Sequence, residues 1–518
     1  MYVACIQLKA NSVLEYESAY KNVLAMTEEA AKAGAELAVL PECAYPAYFL
    51  GLDPDKAKEA LGLCEKLTEE LKLLAIQYKM HIVMGMVTER DGNLYNTAFM
   101  IDDNGKIIHS ADKSNLWHFD YKWFTASECY EVFNTRFGTM GIMICADGRL
   151  PEISRILSLK GARIIIDPVN LAAAAEDPKQ LNSMQCQFIL PVRAAENGVW
   201  ILVADKVGLE AGCVNYPGRS MVIDPSGKIV ACASTDQQEI IYHEIDLSFK
   251  PEFKQIERRP ELYGILAEEN SALPVIADLE KPKTIQNCEV FSSTIMYRSS
   301  TRDEYLAKAK HYLYCCELLG SKLMFLPQSE SELDGIIGEL AEIMPGDSLV
   351  AVSGRENGIK CAALLSKGQV LGKWYKTHGA TEGEQISDLQ FHCAYTPSGK
   401  IGIIFDTEAY IPEIARAYML LGCNILLWTD SCARELDTKV MQTRASENKI
   451  FVVRSSSADG DCGSIVDTEG RILTSTYRNT DQAAHAMILY SLALSKTVVP
   501  GTNVVTGRKN QSYGSLTF

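Results

Sequence analysis

The sequence lacks an excess of positive charge and also lacks any long apolar run. Its 518 residues include 50 lysines and arginines against 66 aspartates and glutamates, so the formal net charge is −16. This surplus argues against binding to nucleic acid or to an anionic membrane surface, because both need a basic face. No apolar stretch reaches the roughly 18 residues that a membrane-spanning helix requires. We therefore expect no nucleic-acid partner and no membrane partner.

The cysteines lack the spacing of a metal site or of a disulfide framework. None of the 16 cysteines occurs in a Cys-x-x-Cys pair, and most lie in apolar runs, as Cys5, Cys186 and Cys423 do. The N-terminus, from Met1 to Leu8, is typical of a core strand and not of a signal peptide. We therefore expect buried free thiols and a cytoplasmic protein.

Short apolar runs alternate with amphipathic segments, as in an α/β fold. The predicted strands are Tyr2–Leu8, Leu37–Leu40, His81–Val87, Thr97–Ile101, Gly141–Cys145, Arg163–Pro168, Trp200–Ala204 and Met221–Asp224. Apolar residues recur at helical spacing over Glu15–Ala33, which predicts a helix between the first two strands. Turn-forming segments at 102–105 and 224–227 indicate hairpins, so we expect mixed sheets with helices packed on them.

The second half of the chain repeats the first. The matching segments, in order, are 33–42 with 319–328, 151–155 with 412–416, Gly161 with Gly422, 193–197 with 444–448, and 258–264 with 508–514. Chance does not give five matches in one order. We therefore predict one domain over 1–268, a linker over 269–284 and a second domain over 285–518.

Three chemically different residues each follow an apolar run of the first copy. Glu42 follows Leu37–Leu40, Lys113 follows a strand-like run, and Cys145 ends Gly141–Cys145. A thiol needs a base and a nearby cation to become a nucleophile, and acyl transfer needs donors for the developing oxyanion. The backbone N–H of Ala146 can be a second such donor. A single cysteine, glutamate or lysine is usually structural or solvated, but the three together favour nucleophilic chemistry.

The motifs around these residues resemble those of one enzyme family. They are Leu40-Pro41-Glu42, Tyr95-Asn96-Thr97, Lys113 followed by Leu116, Cys145-x-Asp147-x-x-x-Pro151-Glu152, Arg193-Ala-x-Glu196-Asn197 and Gly218-Arg-Ser220. In order and approximate spacing they resemble the nitrilase superfamily of carbon–nitrogen hydrolases. The resemblance implies an αββα sandwich, Glu42 as general base, Cys145 as the nucleophile that forms a thioester and Lys113 as oxyanion stabiliser. It implies no metal and no organic cofactor.

Further site residues are less sharply marked. Many members of the family carry a second glutamate shortly after the lysine, which orients the substrate or assists the base. Here that position holds Asp120, whose side chain is one methylene shorter, and an ordinary surface acid is the alternative. The aromatic residues Tyr48, Trp117 and Trp123 are candidates for the substrate pocket, with the core as the alternative. Arg149 is a candidate for binding a substrate carboxylate, although a structural ion pair, for example with Glu152, is the favoured interpretation.

The second copy has lost most of this chemistry. Gln328 occupies the position of Glu42, Asp406 that of Cys145, and only Lys376 matches Lys113. Because an amide cannot act as a base, we predict that the second domain is inactive. The resemblance implies αββα–αββα dimers, so we expect the two domains to pack as an intrachain pseudo-dimer. A regulatory ligand at the second pocket is a less favoured alternative.

The leading hypothesis is thiol-dependent hydrolysis of a small linear amide, with release of ammonia or an amine. Nitrile-cleaving members carry Trp-Glu after the cysteine, whereas this chain has Ala146-Asp147, which resembles the amidase and carbamoylase branches. An N-carbamoyl amide hydrolase is the first alternative, and a non-catalytic binding or scaffold protein is an alternative of another class. Capture of the thioester by an amine is also open. Assembly of the chains into a homo-oligomer is expected by resemblance.

Overall fold

The computed structural model describes residues 1–128, 130–249, 256–280, 289–344, 346–379 and 384–518. The chain divides into two compact units. Unit 1 contains Met1–Lys254 and Val498–Thr502, and unit 2 contains Gln255–Thr497 and Asn503–Phe518. Within the described residues, no helix combines the length and the apolar character that crossing a membrane requires.

The limits of the two domains, which were predicted from the internal repeat, stay a prediction. Residues 256–268 are grouped with unit 2 in the structure, whereas the repeat assigns them to the first copy. Part of the predicted linker forms the helix Pro274–Glu280, and residues 281–284 lie outside the described residues. The internal repeat therefore marks where the second copy resembles the first, but not where each unit ends.

Unit 1 contains fourteen strands and five helices within the described residues. The strands are β1 Tyr2–Lys9, β2 Leu37–Val39, β3 His81–Arg90, β4 Asn93–Ile101, β5 Ile107–Asp112, β6 Val132–Thr135, β7 Gly138–Ile142, β8 Ile164–Pro168, β9 Trp200–Ala204, β10 Lys206–Glu210, β11 Val214–Pro217, β12 Met221–Ile223, β13 Ile229–Cys232 and β14 Glu239–Glu244. The helices are α1 Tyr16–Lys32, α2 Pro54–Leu61, α3 Cys64–Tyr78, α4 Pro151–Leu159 and α5 Leu190–Asn197.

These strands form two mixed sheets that face each other. The first has the order β11-β10-β1-β2-β3-β4-β5, with β14 also paired to β1, and the second has the order β13-β12-β9-β8-β7-β6. The central pairs of each sheet are parallel, and the hairpins β3–β4, β4–β5 and β12–β13 are antiparallel. Helices α1 and α3 pack on the first sheet, α4 and α5 pack on the second, and β1 and β2 pack against β9. The expected α/β class, the mixed sheets and the layered arrangement are confirmed.

Unit 2 repeats this architecture with twelve sandwich strands and six helices in its described residues. Its strands are β15 Glu289–Met296, β16 Leu323–Glu332, β17 Leu349–Glu356, β18 Ile359–Ser366, β19 Gln369–Tyr375, β20 Ala394–Thr396, β21 Gly399–Phe405, β22 Ile425–Asp430, β23 Phe451–Ser456, β24 Ser464–Val466, β25 Ile472–Ser475 and β26 Gln482–Leu489. Its helices are α6 Pro274–Glu280, α7 Arg302–Leu318, α8 Leu333–Ala341, α9 Pro412–Leu420, α10 Asp437–Asn448 and α11 Tyr490–Leu494. The two sheets have the orders β19-β18-β17-β16-β15-β26 and β20-β21-β22-β23-β24-β25.

A short two-stranded ribbon follows, made of β27 Thr497–Val499 and β28 Thr502–Asn503. Its turn, Val498–Thr502, is the segment that belongs to unit 1. The pseudo-dimer expected from the family resemblance stays a prediction.

Candidate active site

Three strand ends of unit 1 bring an acid, an ammonium group and a thiol together in a buried site. Glu42 lies just beyond β2, Lys113 directly follows β5, and Cys145 follows β7 after two further residues. The exposed fractions are 0% for Glu42, 1% for Lys113 and 6% for Cys145. Surface glutamates and lysines are solvated, so such complete burial requires that these groups pair with each other.

The Glu42 carboxylate is held on one oxygen only. Its Oε1 accepts hydrogen bonds from Lys113 Nζ at 2.7 Å and from Asn96 Nδ2 at 2.6 Å. Its Oε2 is buried and has no hydrogen-bond partner among the described residues. A buried carboxylate oxygen without a partner is costly, and Oε2 is the oxygen that the anchoring contacts leave without one. Asn96 appeared in the sequence analysis only as part of a motif.

The backbone of Glu42 is packed against β3 through a glycine. An ideal Cβ on Gly85 would lie 2.1 Å from the carbonyl oxygen of Pro41 and 2.8 Å from the Cα of Glu42. Only glycine allows this close approach of two backbones. Asn170 Nδ2 also donates to the carbonyl oxygen of Glu42 at 2.9 Å, so the backbone of Glu42 is held by a second contact.

Cys145 stands in a constrained backbone conformation at the start of a short 3₁₀ segment, Cys145–Arg149. Its φ of +53° is in the left-handed region, which non-glycine residues rarely adopt. The backbone is held there because its N–H donates to Asp167 Oδ1 at 2.8 Å and its carbonyl accepts from Gln185 Nε2 at 2.9 Å. The predicted strand therefore ends before the cysteine, and the thiol sits in a tight turn.

Burial raises the pKa of the Cys145 thiol well above its ordinary value, and the Glu42 carboxylate raises it further. The Lys113 ammonium and a backbone hydrogen bond from Asn170 act in the opposite direction and lower the pKa. Because the raising effects dominate, the resting thiol is protonated at neutral pH. A base must therefore remove its proton when it attacks.

Asp147 connects the lysine strand to the cysteine turn. Its carboxylate accepts from the backbone N–H of Ser114 at 3.2 Å, Asn115 at 2.6 Å and Ile144 at 3.1 Å. Burial raises the pKa of Asp147 to about 6, although these hydrogen bonds lower it. Asp147 thus joins the segment after Lys113 to the turn that carries Cys145. The sequence motif alone did not reveal this role.

The structure contradicts the interpretation of Asp120 as a surface acid. Asp120 is fully buried, and its Oδ2 lies 2.8 Å from Lys113 Nζ. The Tyr48 hydroxyl donates to its Oδ1 at 2.5 Å, and the backbone N–H of Trp117 donates to its Oδ2 at 2.8 Å. Burial alone would lower the pKa of Lys113, but the Asp120 and Glu42 carboxylates outweigh it and raise that pKa well above its ordinary value. Lys113 therefore stays charged.

The other predicted pocket residues are only partly brought to this site. Tyr48 reaches it through Asp120, and Lys113 Nζ lies 5.5 Å from the Tyr48 ring centroid. Trp123 packs in an aromatic group that also contains Phe49, Phe119 and Phe124.

The arginine and alanine candidates lie beside the cysteine turn. The guanidinium carbon of Arg149 lies 5.0 Å from the Trp117 ring centroid, so these two candidates contact each other. Ala146 is buried next to the cysteine, and its carbonyl oxygen accepts from Asn115 Nδ2 at 2.9 Å.

A distant segment of unit 1 supports the loop that carries Asp120. Thr502 Oγ1 accepts from the backbone N–H of His118 at 3.0 Å and donates to the carbonyl oxygen of Leu116 at 3.2 Å. His118 has a φ of +44°, which again is rare for a non-glycine residue. The loop conformation therefore depends on a residue that the sequence analysis did not single out.

Unit 2 keeps the backbone of this site and changes its chemistry. Asp406, at the position of Cys145, has a φ of +45°. Its Oδ2 lies 3.0 Å from Lys376 Nζ and 2.7 Å from Lys360 Nζ. Burial acts to raise the pKa of Asp406, but the two ammonium groups outweigh it and lower the pKa to about 2. The carboxylate is thus locked between two lysines.

A buried thiol under the electrostatic influence of a glutamate and a lysine is an arrangement that suits a thiol hydrolase. The comparisons agree with this class: the sequence profile of the carbon–nitrogen hydrolase family matches residues 2–255. A nitrilase of Pyrococcus abyssi is 32% identical over 47% of this chain and 89% of its own length. An omega-amidase of Bos taurus is 26% identical over 52% of this chain and 98% of its own length. A citrullinase of Francisella tularensis subsp. tularensis is 28% identical over 45% of this chain and 87% of its own length. The chain belongs to the carbon–nitrogen hydrolase family of the nitrilase superfamily, and it is a hydrolase.

Proposed function

We propose that unit 1 hydrolyses a small linear amide with Glu42 as base, Cys145 as nucleophile and Lys113 as oxyanion donor. The observation that carries this proposal is the asymmetric Glu42 carboxylate. One oxygen is anchored by Lys113 and Asn96, while the other is buried and has no partner among the described residues. The raised pKa of Cys145 means that the resting thiol keeps its proton, and such an oxygen can receive that proton.

The first half-reaction forms a thioester. Glu42 Oε2 takes the thiol proton as the sulfur attacks the amide carbon, and the carbonyl oxygen becomes an oxyanion. The Lys113 ammonium and the backbone N–H of Ala146 stabilise that oxyanion. Glu42 then gives its proton to the leaving nitrogen, the carbon–nitrogen bond breaks, and ammonia or an amine departs.

The second half-reaction restores the thiol. Glu42 takes a proton from a water molecule as the water oxygen attacks the thioester carbon. The tetrahedral intermediate collapses, the carbon–sulfur bond breaks, and the proton on Glu42 returns to the sulfur. Asp120 takes no part in these transfers; with the Tyr48 hydroxyl it positions the Lys113 ammonium.

Unit 2, in this proposal, performs no hydrolysis. Gln328 offers an amide where a base is needed, and the Asp406 carboxylate is paired with Lys360 and Lys376. No thiol stands at that position.

The second candidate is hydrolysis of an N-carbamoyl compound, which would release carbon dioxide together with ammonia. The relative named citrullinase supports it, since citrulline carries a carbamoylated nitrogen, whereas the relative named omega-amidase supports the amide reaction. The same triad can attack either carbonyl group, so the products distinguish the two reactions.

Ammonia release from amides, N-carbamoyl compounds and nitriles tests the proposal, with carbon dioxide measured in parallel. We expect release from amides without carbon dioxide, a loss of at least about 10³-fold in Cys145→Ala, and a loss of about 10²–10⁴-fold in Glu42→Gln. Cys186→Ala, which removes another buried thiol of unit 1, is the matched control and should keep full activity.

Retention of activity in Cys145→Ala would refute the thiol mechanism. Release of ammonia and carbon dioxide in equal amounts would contradict amide hydrolysis and support hydrolysis of an N-carbamoyl compound. A folded protein that acts on no compound of the panel would favour a binding role or acyl transfer to an amine.

A further inference from the structure

Unit 2 has an open polar cleft of about 830 Å³ beside its altered triad. Gln328 and Ser431 line the cleft, and they stand at the positions that Glu42 and Asn170 occupy in unit 1. Ser431 also donates to Asp406 Oδ1 at 3.0 Å, so the cleft reaches the altered site itself. This volume is within the range of small-molecule sites, about 300–1,000 Å³.

Among the described residues, unit 2 lacks elements that unit 1 has between corresponding strands. Between β2 and β3, unit 1 carries the two helices α2 and α3, whereas only α8 lies between β16 and β17 among the described residues. Unit 1 also inserts the β10–β11 hairpin after β9, and the described chain after β23 continues directly to β24. The change from Glu42 to Gln328 thus coincides with the absence of these elements from the described part of unit 2.

One residue of the cleft lining carries a buried acceptor atom without a partner. Gln328 is 5% exposed, its Nε2 donates to Glu330 at 3.2 Å, and its Oε1 is buried with no partner among the described residues. An amide oxygen that accepts nothing costs about 1–3 kcal/mol. A ligand with an uncharged N–H group can supply the missing donor.

The rim of the cleft supplies cations. Arg298, Arg302 and Lys308 line it, and all three are paired with carboxylates; Lys308 pairs with Glu304 and Asp481, both at 2.9 Å. Arg298 pairs with Asp459, which is 84% exposed, and Arg302 lies 3.5 Å from Glu339. Exposed ion pairs of this kind are weak, so a ligand carboxylate can replace the partner.

The lining is balanced in charge. Glu304, Glu330 and Asp459 line the same cleft as the three cations, together with seven serine and threonine residues. A balanced lining disfavours a polyanion and favours a zwitterion with polar groups between its charges.

We propose that this cleft binds, without turnover, a free amino acid whose side chain carries an uncharged N–H donor. Its carboxylate contacts Arg298 and Arg302, its ammonium group faces the acids of the lining, and its side chain reaches Gln328. This site is separate from the triad of unit 1 and does not rest on the reaction assigned to it.

Calorimetric titration of the full chain carrying Cys145→Ala tests this, because that background prevents turnover. L-Glutamine and L-citrulline are the probes, and L-leucine and inorganic phosphate are the comparison compounds. We expect Gln328→Leu to lower the affinity for L-glutamine at least tenfold and to leave the affinity for L-leucine unchanged. Arg298→Ala should lower the affinity for every amino acid that binds. Arg471 is exposed and lies outside the cleft, so Arg471→Ala should leave all affinities unchanged.

Any binding in unit 1 would persist in both cleft variants, so the difference between variants reports the cleft alone. Absence of binding by both probes, or binding that Gln328→Leu and Arg298→Ala leave unchanged, would overturn the proposal. Phosphate that displaces L-glutamine would also overturn it, because the site would then be one for anions. Should Gln328→Leu fail to fold, the Arg298→Ala comparison decides, since Arg298 lies at the surface.

Discussion

Replacing Gly85 by alanine should displace the proposed general base without touching its side chain. The added Cβ would lie 2.1 Å from the carbonyl oxygen of Pro41, whereas carbon and oxygen atoms of neighbouring strands normally stay about 3.3 Å apart. The two backbones must therefore separate by about 1 Å. A misplacement of about 1 Å in a catalytic group costs about 10² in rate.

We therefore expect kcat/KM for amide hydrolysis to fall about 100-fold in Gly85→Ala. Overpacking of a buried contact should also cost about 1–3 kcal/mol of stability, seen as a lower unfolding temperature of unit 1. Steady-state ammonia release measures the first effect and calorimetry the second. Alkylation of Cys145 by a thiol reagent gives the fraction of intact sites, so that lost activity is not confused with lost protein.

Gly338→Ala is the control for this substitution. Gly338 lies in α8, and a Cβ there would meet no atom within 4 Å. Alanine in a helix should leave activity unchanged and raise stability by up to about 1 kcal/mol. Full activity and an unchanged unfolding temperature in Gly85→Ala would refute the reasoning that the β3 backbone fixes Glu42.

Three further perturbations follow from the structure. Tyr48→Phe removes the 2.5 Å hydrogen bond to Asp120 and should lower kcat about tenfold, the equivalent of about 1.4 kcal/mol, with little change in KM; an unchanged kcat would contradict a positioning role. Asp406→Asn should destabilise unit 2 by about 2 kcal/mol at pH 7, because the pKa of Asp406 is lowered from 3.8 to about 2. That stabilisation is present above pH 4 and is lost as the pH falls towards 2, so the difference in unfolding temperature should close over this range. A difference in unfolding temperature that does not depend on pH would refute this explanation. Asp459→Asn, at an exposed position, should show no difference in unfolding temperature from the wild type. Thr502→Val breaks both bonds to the Asp120 loop and should lower kcat about fivefold to tenfold at an unchanged unfolding temperature, whereas wild-type kcat would show that the loop needs no such support.

Local patterns were enough to single out the residues that form the candidate site. Glu42, Lys113 and Cys145 each interrupt or follow an apolar run, and the carboxyl ends of such strands tend to meet. The same periodicity predicted eight of the fourteen strands of unit 1 and the helix α1 to within a few residues, and it missed β5, β6, β10, β11, β13 and β14. The structure brings Glu42 and Lys113 into contact as expected, while their catalytic roles rest on the experiments above.

Contacts between distant segments could not be predicted in this way. Tyr48 and Asp120 are 72 residues apart, and His118 and Thr502 are 384 residues apart. No spacing in the sequence marks such pairs, because they depend on how loops pack after the sheets have formed. The tight turn at Cys145 was also missed, since an apolar run predicts extended backbone up to its last residue.

The inclusion of Val498–Thr502 in unit 1 has a consequence for how the protein is made. This segment leaves the ribosome about 244 residues after Lys254, from 498 − 254. At about 5–20 residues per second, that interval is roughly 12–49 s. During this time the sheets of the first unit can form, but the loop that holds Asp120 has no Thr502 to fix it. Completion of the candidate site therefore waits for the synthesis of the second half of the chain, and a chain released early has Glu42, Lys113 and Cys145 but lacks Thr502 beside the Asp120 loop.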